Sequence, residues 1–390
     1  MAEKSSVEAW LSGLGAPAAD RDYKPGHVRM HDLLSGMQLR QPSLRIRIAG
    51  TNGKGSSAHM LAAGLAATGL RVGLYTSPHI HAFNERIRID AHPVSDAALL
   101  TLLPPIVERA MHIGASYFEV ATALALQCFS DAQVDVEILE AGVGARLDAT
   151  TAVAADMALL TPVALDHQAW LGETLAEVAG EKAHVFDGCR WCLSSVQPDV
   201  VRQVVDRIAP GVRYISQPVE MRLAMRGVHQ RENAALALAA MSALQSAGLL
   251  EAGQAVSDAM LKAVTNVQVP GRLQEVHLGA QSFWLDAGHN RHAVEALLPS
   301  LQSIGPFDAV FVFTREDRDL TDTLPLLRGL TKRMISGRPS DVADASYASL
   351  ADALEKEVHG RAGRYLVLGS FITVSAAEDW LKARIETVPI

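Results

Sequence analysis

Leu44 to Ala49 alternates apolar residues with two arginines and runs straight into a glycine-rich turn, Gly50-Thr51-Asn52-Gly53-Lys54-Gly55-Ser56. The pattern predicts a short strand delivering the chain into a loop. Ser57 to Thr68 is rich in Ala, Leu and Met, residues that lose little freedom in a helix, and a helix is expected there. Arg71 to Thr76 predicts the next strand, Ser95 to Met111 and Tyr117 to Phe129 predict helices, and Val134 to Leu139 and Met157 to Thr161 predict buried strands. A further helix is expected from Thr174 to Phe186. Strand and helix keep alternating, which predicts a doubly wound α/β layer with a mostly parallel sheet.

Two more helices, Gln230 to Ala247 and Glu251 to Val264, lead to Val269-Pro270-Gly271, a turn that stops a helix. Beyond it the alternation restarts, with strands expected at Phe283 to Asp286, Ala309 to Phe313 and Tyr365 to Leu368. The expected organisation is a large domain over 1–269 and a smaller C-terminal α/β domain over 270–390. A chain of 390 residues exceeds what one hydrophobic core serves, which agrees with two domains.

Composition narrows the chemistry. With 49% hydrophobic and 20% charged residues the chain is ordinary globular protein. Its net charge of -8 argues against a nonspecific grip on nucleic acid or anionic membrane, so any phosphate must be held by local geometry. No apolar run reaches spanning length and Met1 to Asp20 carries no export pattern, so a cytoplasmic protein is expected. Cys128, Cys189 and Cys192 are too few for a disulfide framework. Cys189 and Cys192 form a CxxC without a second ligand pair, and they are expected to be two half-buried thiols around a strand.

The glycine-rich turn carries the strongest chemical signal. Strand, glycine turn, lysine, hydroxyl and helix form the arrangement that binds polyphosphate: glycines let several N–H groups face one anion, and the helix start adds its positive end. Lys54 is expected to reach the β- and γ-phosphates of ATP, with Ser56 as a further donor. The spelling departs from the common GxxxxGK[ST], because Gly55 stands between Lys54 and Ser56.

Read with Thr76-Ser77-Pro78-His79, Glu140-Ala141-Gly142-Val143-Gly144-Ala145-Arg146-Leu147-Asp148-Ala149-Thr150 and Ala164-Leu165-Asp166-His167, this loop resembles the dihydrofolate synthase/folylpolyglutamate synthase family of the Mur-ligase superfamily. Gly180-Glu181-Lys182-Ala183, Arg231-Glu232-Asn233-Ala234, Pro270-Gly271-Arg272-Leu273-Gln274, Asp286-Ala287-Gly288-His289-Asn290 and Gly369-Ser370-Phe371 continue the match in family order. The resemblance implies a P-loop-containing Mur-ligase-like fold and an ADP-forming acid–amino-acid ligase. ATP phosphorylates a pterin-type carboxylate, and the amine of L-glutamate attacks the acyl phosphate. The implied products are dihydrofolate, from dihydropteroate, or a folate with a longer glutamate tail.

The resemblance also implies roles. Asn52, Gly53, Lys54, Gly55, Ser56, Asn233, Arg272 and Asp286 are the expected ATP contacts. Ser77, Glu140 and His167 are the expected residues of a Mg²⁺ site serving two ions, with Lys54, His167 and Lys182 catalytic. Lys182 alone reads as a solvated helix charge; the resemblance makes it a carbamylated lysine, which requires a depressed pKa. Phe118, Asp148, His289 and Ser370 are the expected substrate contacts, the last two towards glutamate. No protein nucleophile, nucleic acid or membrane partner is expected, and the protein is expected to be a monomer.

Four stretches depart from the family pattern. Ala145 and Thr151 replace a glycine and an asparagine, Arg291 follows His289-Asn290 where proline is usual, and Glu316-Asp317-Arg318-Asp319 stands for Asp-Lys-Asp. The fourth, Asp22-Tyr23-Lys24-Pro25-Gly26-His27-Val28, matches poorly where a pterin-binding loop would fall. The alternatives are therefore a paralogous ligase coupling another carboxylic acid to an amino acid, a cell-wall Mur ligase, and a noncatalytic ATP binder.

Overall fold

The computed structural model describes residues 6–14, 26–250, 256–316, 318–359 and 362–385. A first sheet is built from β1 (Leu44–Ala49), β2 (Val72–Tyr75), β3 (Ile87–Ile89), β4 (His92–Pro93), β5 (Val136–Glu140), β6 (Met157–Leu160), β7 (Trp191–Ser195) and β8 (Arg213–Ile215). Their order is β4-β3-β2-β5-β1-β6-β7-β8. β2, β5, β1, β6, β7 and β8 are parallel, and β3 and β4 add an antiparallel edge. β1 is thus central, and all its residues are buried.

Burying β1 means burying its arginines. Arg45 Nε donates to Glu137 Oε2 of β5 at 2.6 Å, and an Nη donates to the carbonyl of Ala154 at 2.8 Å. Burial raises the Glu137 pKa against the lowering effect of Arg45. Two apolar clusters among the described residues of this unit differ in makeup. One draws on the helices His27–Ser35, Asp96–Ile113 and Tyr117–Asp131, the other on Leu175–Ala183 and Asp199–Ile208. The helix Lys54–Ala66 packs closely on its neighbours through Gly64, where a Cβ would stand 2.4 Å from Met241 Sδ.

A second sheet holds β9 (Gln274–Leu278), β10 (Ala280–Asp286), β11 (Ala309–Val312), β12 (Met334–Ser336), β13 (Ala345–Ser346) and β14 (Ala362–Leu368) in the order β13-β12-β11-β14-β10-β9. Only β9 runs antiparallel to its neighbour. The chain divides into two compact units, Met1–Met221 with Glu232–Val267, and Arg222–Arg231 with Gln268–Ile390. Relative to one cut after residue 269, Arg222–Arg231 and the two residues Gln268 and Val269 group with the second unit.

Several boundaries move for local reasons. The helix expected from Ser57 starts at Lys54, because Gly53 adopts φ +92° and lets the loop turn directly into the helix. The helix expected from Glu251 to Val264 runs from Asp258 to Asn266; Ser257 caps it by accepting from Met260 N, and residues 251–255 lie outside the described ones. Pro104 and Pro105 sit inside Asp96–Ile113 without ending it. Among the described residues no helix is long and apolar enough to cross a membrane.

The buried Arg45–Glu137 pair gives a stability prediction. Glu137→Ala leaves a buried guanidinium without its counter-charge, and should destabilise the fold by about 3–5 kcal/mol in urea unfolding. A loss within experimental error would show that the pair contributes nothing.

Candidate active site

The first unit gathers its polar groups at the carboxyl ends of β1, β2, β5 and β6, the ligand edge of a doubly wound sheet. Gly50 has φ +142°, and a Cβ there would meet Thr161 Oγ1 at 2.0 Å, so only glycine fits. Thr51 and Asn52 N–H groups both donate to the carbonyl of Pro162, at 2.9 and 3.4 Å. The Thr51 hydroxyl donates to Ala164 O and accepts from Ala164 N, both at 3.0 Å. Gln197 in turn holds that bracket, accepting from Val163 N and donating to Thr161 O, each at 3.0 Å. Gly53 lies against Asn233, whose Oδ1 would be 2.3 Å from an added Cβ.

Two lysine Nζ donors converge on one oxygen here. Lys54 Nζ donates to the carbonyls of Gly50 and Thr51 at 3.2 and 3.1 Å, and Lys182 Nζ donates to Gly50 O at 2.9 Å. Lys182 is 2% exposed, at the end of the helix Leu175–Ala183. Burial, then the charge of Lys54, push its pKa down to about 7, while Asp166 and Asp148 act the other way. The solvated helix charge suggested by the helix alone is therefore a buried amine at the phosphate loop.

Ser77 and Glu140 are brought together, with Ser77 N–H donating to Glu140 Oε2 at 3.1 Å. Their oxygens are the hard donors that Mg²⁺ takes, and their place beside the phosphate loop fits such an ion. His167 follows the same bracket and holds φ +52° as the N-cap of Gln168–Leu171, a strained conformation for a non-glycine residue. No group of three His, Cys, Asp or Glu side chains suited to a metal occurs among the described residues.

Asp148 is buried, and its carboxylate accepts from the N–H groups of Gly142, Val143 and Thr150 and from the Thr150 hydroxyl, at 3.0, 3.2, 2.9 and 2.6 Å. Burial raises its pKa and these four bonds lower it. Its acceptor capacity is spent on shaping the loop from Gly142 to Thr150. The Phe118 ring lies on that loop, with Cζ 2.7 Å from where a Gly142 Cβ would stand. Ala145 needs no glycine freedom, because the left-handed residue is its neighbour Gly144, at φ +70°. Residues 22–25 of the poorly matching stretch lie outside the described residues; His27 does not, and begins the helix His27–Ser35.

In the second unit, Asp286 ends β10 and accepts from Leu273 N and Gly288 N at 2.8 and 2.7 Å. It thereby closes the turn that carries Arg272, where Leu273 holds φ +47°. Burial raises the Asp286 pKa while the Arg272 charge lowers it. The Arg272 guanidinium stacks over Phe371 at 5.0 Å. His289 Nδ1 lies 3.0 Å from Ala287 O. Ser370 caps the helix Phe371–Ile385: its oxygen accepts from Thr373 N at 3.0 Å. Asp317, in the stretch standing for Asp-Lys-Asp, lies outside the described residues.

Sequence reasoning missed Thr51, Gln197, His27 and the Arg29–Glu119 pair, whose Nη2–Oε1 separation is 3.0 Å. Only the Ser-x-x-Glu capping box of Ser116 and Glu119 had a sequence signal. Cys189 and Cys192 are half-buried around β7, and burial raises both thiols, which suits inert side chains.

A glycine loop entering a helix, two lysines on it and oxygen donors beside it, with a second α/β unit in the same chain, define a two-domain ATP-dependent ligase of the Mur-ligase type. The chain belongs to the dihydrofolate synthase/folylpolyglutamate synthase family. The Escherichia coli dihydrofolate synthase/folylpolyglutamate synthase is 31% identical over 376 residues, covering 86% of this chain and 86% of that protein. The Mycobacterium tuberculosis protein of the same name is 33% identical over 317 residues, 69% of this chain and 64% of the relative. Among solved structures, E. coli FolC in complex with DHPP and ADP superposes with a TM-score of 0.80 at 28% identity, covering 98% of this chain and 99% of that one. Mycobacterium tuberculosis folylpolyglutamate synthase complexed with ADP and AMPPCP gives 0.76 at 26% identity, over 94% and 96%. No family model matches the chain.

Lys182 gives a pH prediction. Between its folded pKa of about 7 and the ordinary 10.5, the unfolded chain holds a proton that the folded chain lacks. Raising the pH through that window should therefore stabilise the fold, by up to about 1.4 kcal/mol per pH unit from this residue. Urea unfolding at several pH values in CO₂-free buffer should show this extra slope in the wild type and not in Lys182→Met. Parallel slopes would mean an ordinary lysine.

Proposed function

We propose that this chain is an ATP-dependent ligase that joins L-glutamate to a pterin-type carboxylate through an acyl phosphate, making dihydrofolate from dihydropteroate, extending a folate tail, or both. The observation that carries this reading is the convergence of Lys54 and Lys182 on the Gly50 carbonyl, at 3.2 and 2.9 Å, beside the Ser77–Glu140 pair. A mere nucleotide binder does not need the second, buried amine. A cell-wall ligase is disfavoured by the family of the matching relatives.

The chemistry assigned to the site is as follows. A carboxylate oxygen of the acid attacks the γ-phosphorus of ATP, the bond to the β,γ-bridging oxygen breaks, and ADP leaves. The glutamate amine then attacks the acyl carbon, inorganic phosphate leaves with the former carboxylate oxygen, and the amine proton passes to solvent or phosphate. Both steps bring anions together, so positioning and charge neutralisation supply most of the acceleration. Asn52, Gly53, Lys54, Gly55, Ser56 and Asn233 hold the triphosphate and nucleoside from the first unit. Arg272 and Asp286 are further candidate nucleotide contacts.

Ser77 and Glu140 are the residues that would hold Mg²⁺, with His167 a further candidate. The ion would neutralise the phosphate oxygens. Lys182, with an amine pKa near 7, is suited to add CO₂, releasing one proton and becoming a carbamate. Phe118 and the loop shaped by Asp148 receive the acid. The C-terminal domain, with His289 and Ser370, takes glutamate.

The direct test incubates the protein with Mg-ATP, glutamate and either dihydropteroate or tetrahydrofolate, and reads products by mass. One glutamate added to dihydropteroate supports the synthase; tail extension supports the polyglutamate synthase. ATP hydrolysis with neither product refutes the proposal and favours another acid substrate. Lys54→Ala should lower kcat at least a hundredfold; near-normal turnover would remove Lys54 from the site.

A further inference from the structure

The helix His27–Ser35 is fastened at both its faces to the elements that carry Phe118 and Asp148. His27 Nε2 lies 3.2 Å from Asp148 O and 3.0 Å from Thr151 Oγ1. One turn on, His31 Nε2 lies 3.1 Å from Ala152 O. Between them, Arg29 Nε donates to Glu119 Oε2 at 3.1 Å, and Glu119 is buried beside Phe118 in the first turn of Tyr117–Asp131. The backbone oxygen of Asp148 can only accept, so His27 carries its proton on Nε2.

Thr151 completes the arrangement. Its Oγ1 lies 2.6 Å from Ala145 O and 2.8 Å from Asp148 O, so the hydroxyl hydrogen goes to a carbonyl and its lone pairs receive His27. Ala145 and Thr151 are the two positions of this loop that depart from the family pattern. They are joined here through a single hydroxyl, and that hydroxyl meets a histidine from the other poorly matching stretch. Thr151 and His27, each from a stretch that departs from the family pattern, thus meet in one connected contact.

We propose that His27, acting through Thr151 and the Asp148 carbonyl, is a positioning residue that sets the shape of the Gly142–Thr151 loop and with it the affinity for the acid substrate. The inference rests on the reading that Phe118 and this loop receive the acid. Without the histidine, the loop keeps its internal Asp148 bonds and loses its tie to the helix before it. His27 touches neither the phosphate loop nor Lys182, so nucleotide binding is independent of it.

The test measures KM for the pterin acid, KM for ATP, kcat and the thermal midpoint in His27→Leu, His27→Gln, Thr151→Val, the His27→Leu/Thr151→Val double variant and Phe118→Ala. The expected result for His27→Leu is a rise of roughly five- to tenfold in the acid KM, the scale of one lost hydrogen bond, with the ATP KM unchanged. His27→Gln, which keeps a donor at the Nε2 position, should recover most of the loss. Thr151→Val, which also removes the hydroxyl's bonds to Ala145 O and Asp148 O, should raise the acid KM at least as much as His27→Leu, and the double variant should be no worse than Thr151→Val, as coupled neighbours behave. An unchanged acid KM in His27→Leu while Phe118→Ala raises it overturns the inference alone. An unchanged acid KM in Phe118→Ala overturns the acid-site reading beneath it. Equal rises in both KM values with a lowered midpoint and no rescue by glutamine assign His27 a purely structural role and also overturn the proposal.

Discussion

The carbonyl oxygen of Gly50 receives two lysine Nζ donors, Lys54 from the helix that follows it and Lys182 from a helix more than a hundred residues on. Burial and the neighbouring Lys54 charge both disfavour a second cation there, and the Lys182 pKa falls to about 7. The fold meets that constraint by placing the loop at the end of the central, fully buried β1 and bracketing it with Thr161–Ala164.

The same economy governs the neighbouring loops. Asp148 spends its acceptors on backbone N–H groups and a hydroxyl, so the Gly142–Thr150 loop is rigid where the Phe118 ring lies on it. Asp286 does the equivalent in the second unit, fixing the strained turn that presents Arg272. In both, a buried carboxylate organises the backbone around it. That is preorganisation by hydrogen bonding.

Much of this was legible in the sequence, for different reasons in different places. β1 and its loop could be read directly, since apolar alternation followed by glycine, lysine and hydroxyl has one common structural meaning. Family order supplied Ser77 with Glu140, which are 63 positions apart and meet only because β2 and β5 are neighbours. Lys182 was misleading alone: helical spacing among Glu177, Glu181 and His184 reads as a solvated face, and only tertiary packing buries it. Thr51, Gln197 and His27 were invisible, because their partners are backbone carbonyls and amides, which no side-chain pattern reveals. The short edge strands β4, β8 and β13 were missed as well, being two or three residues long and largely exposed.

The most direct measurement of the central claim follows an oxygen atom. With the acid labelled by ¹⁸O in its carboxylate, turnover in the presence of Mg-ATP and glutamate should place one ¹⁸O in each inorganic phosphate released, because that oxygen bridges carbon and phosphorus in the acyl phosphate. Phosphate free of label, released in step with amide formation, would contradict the account.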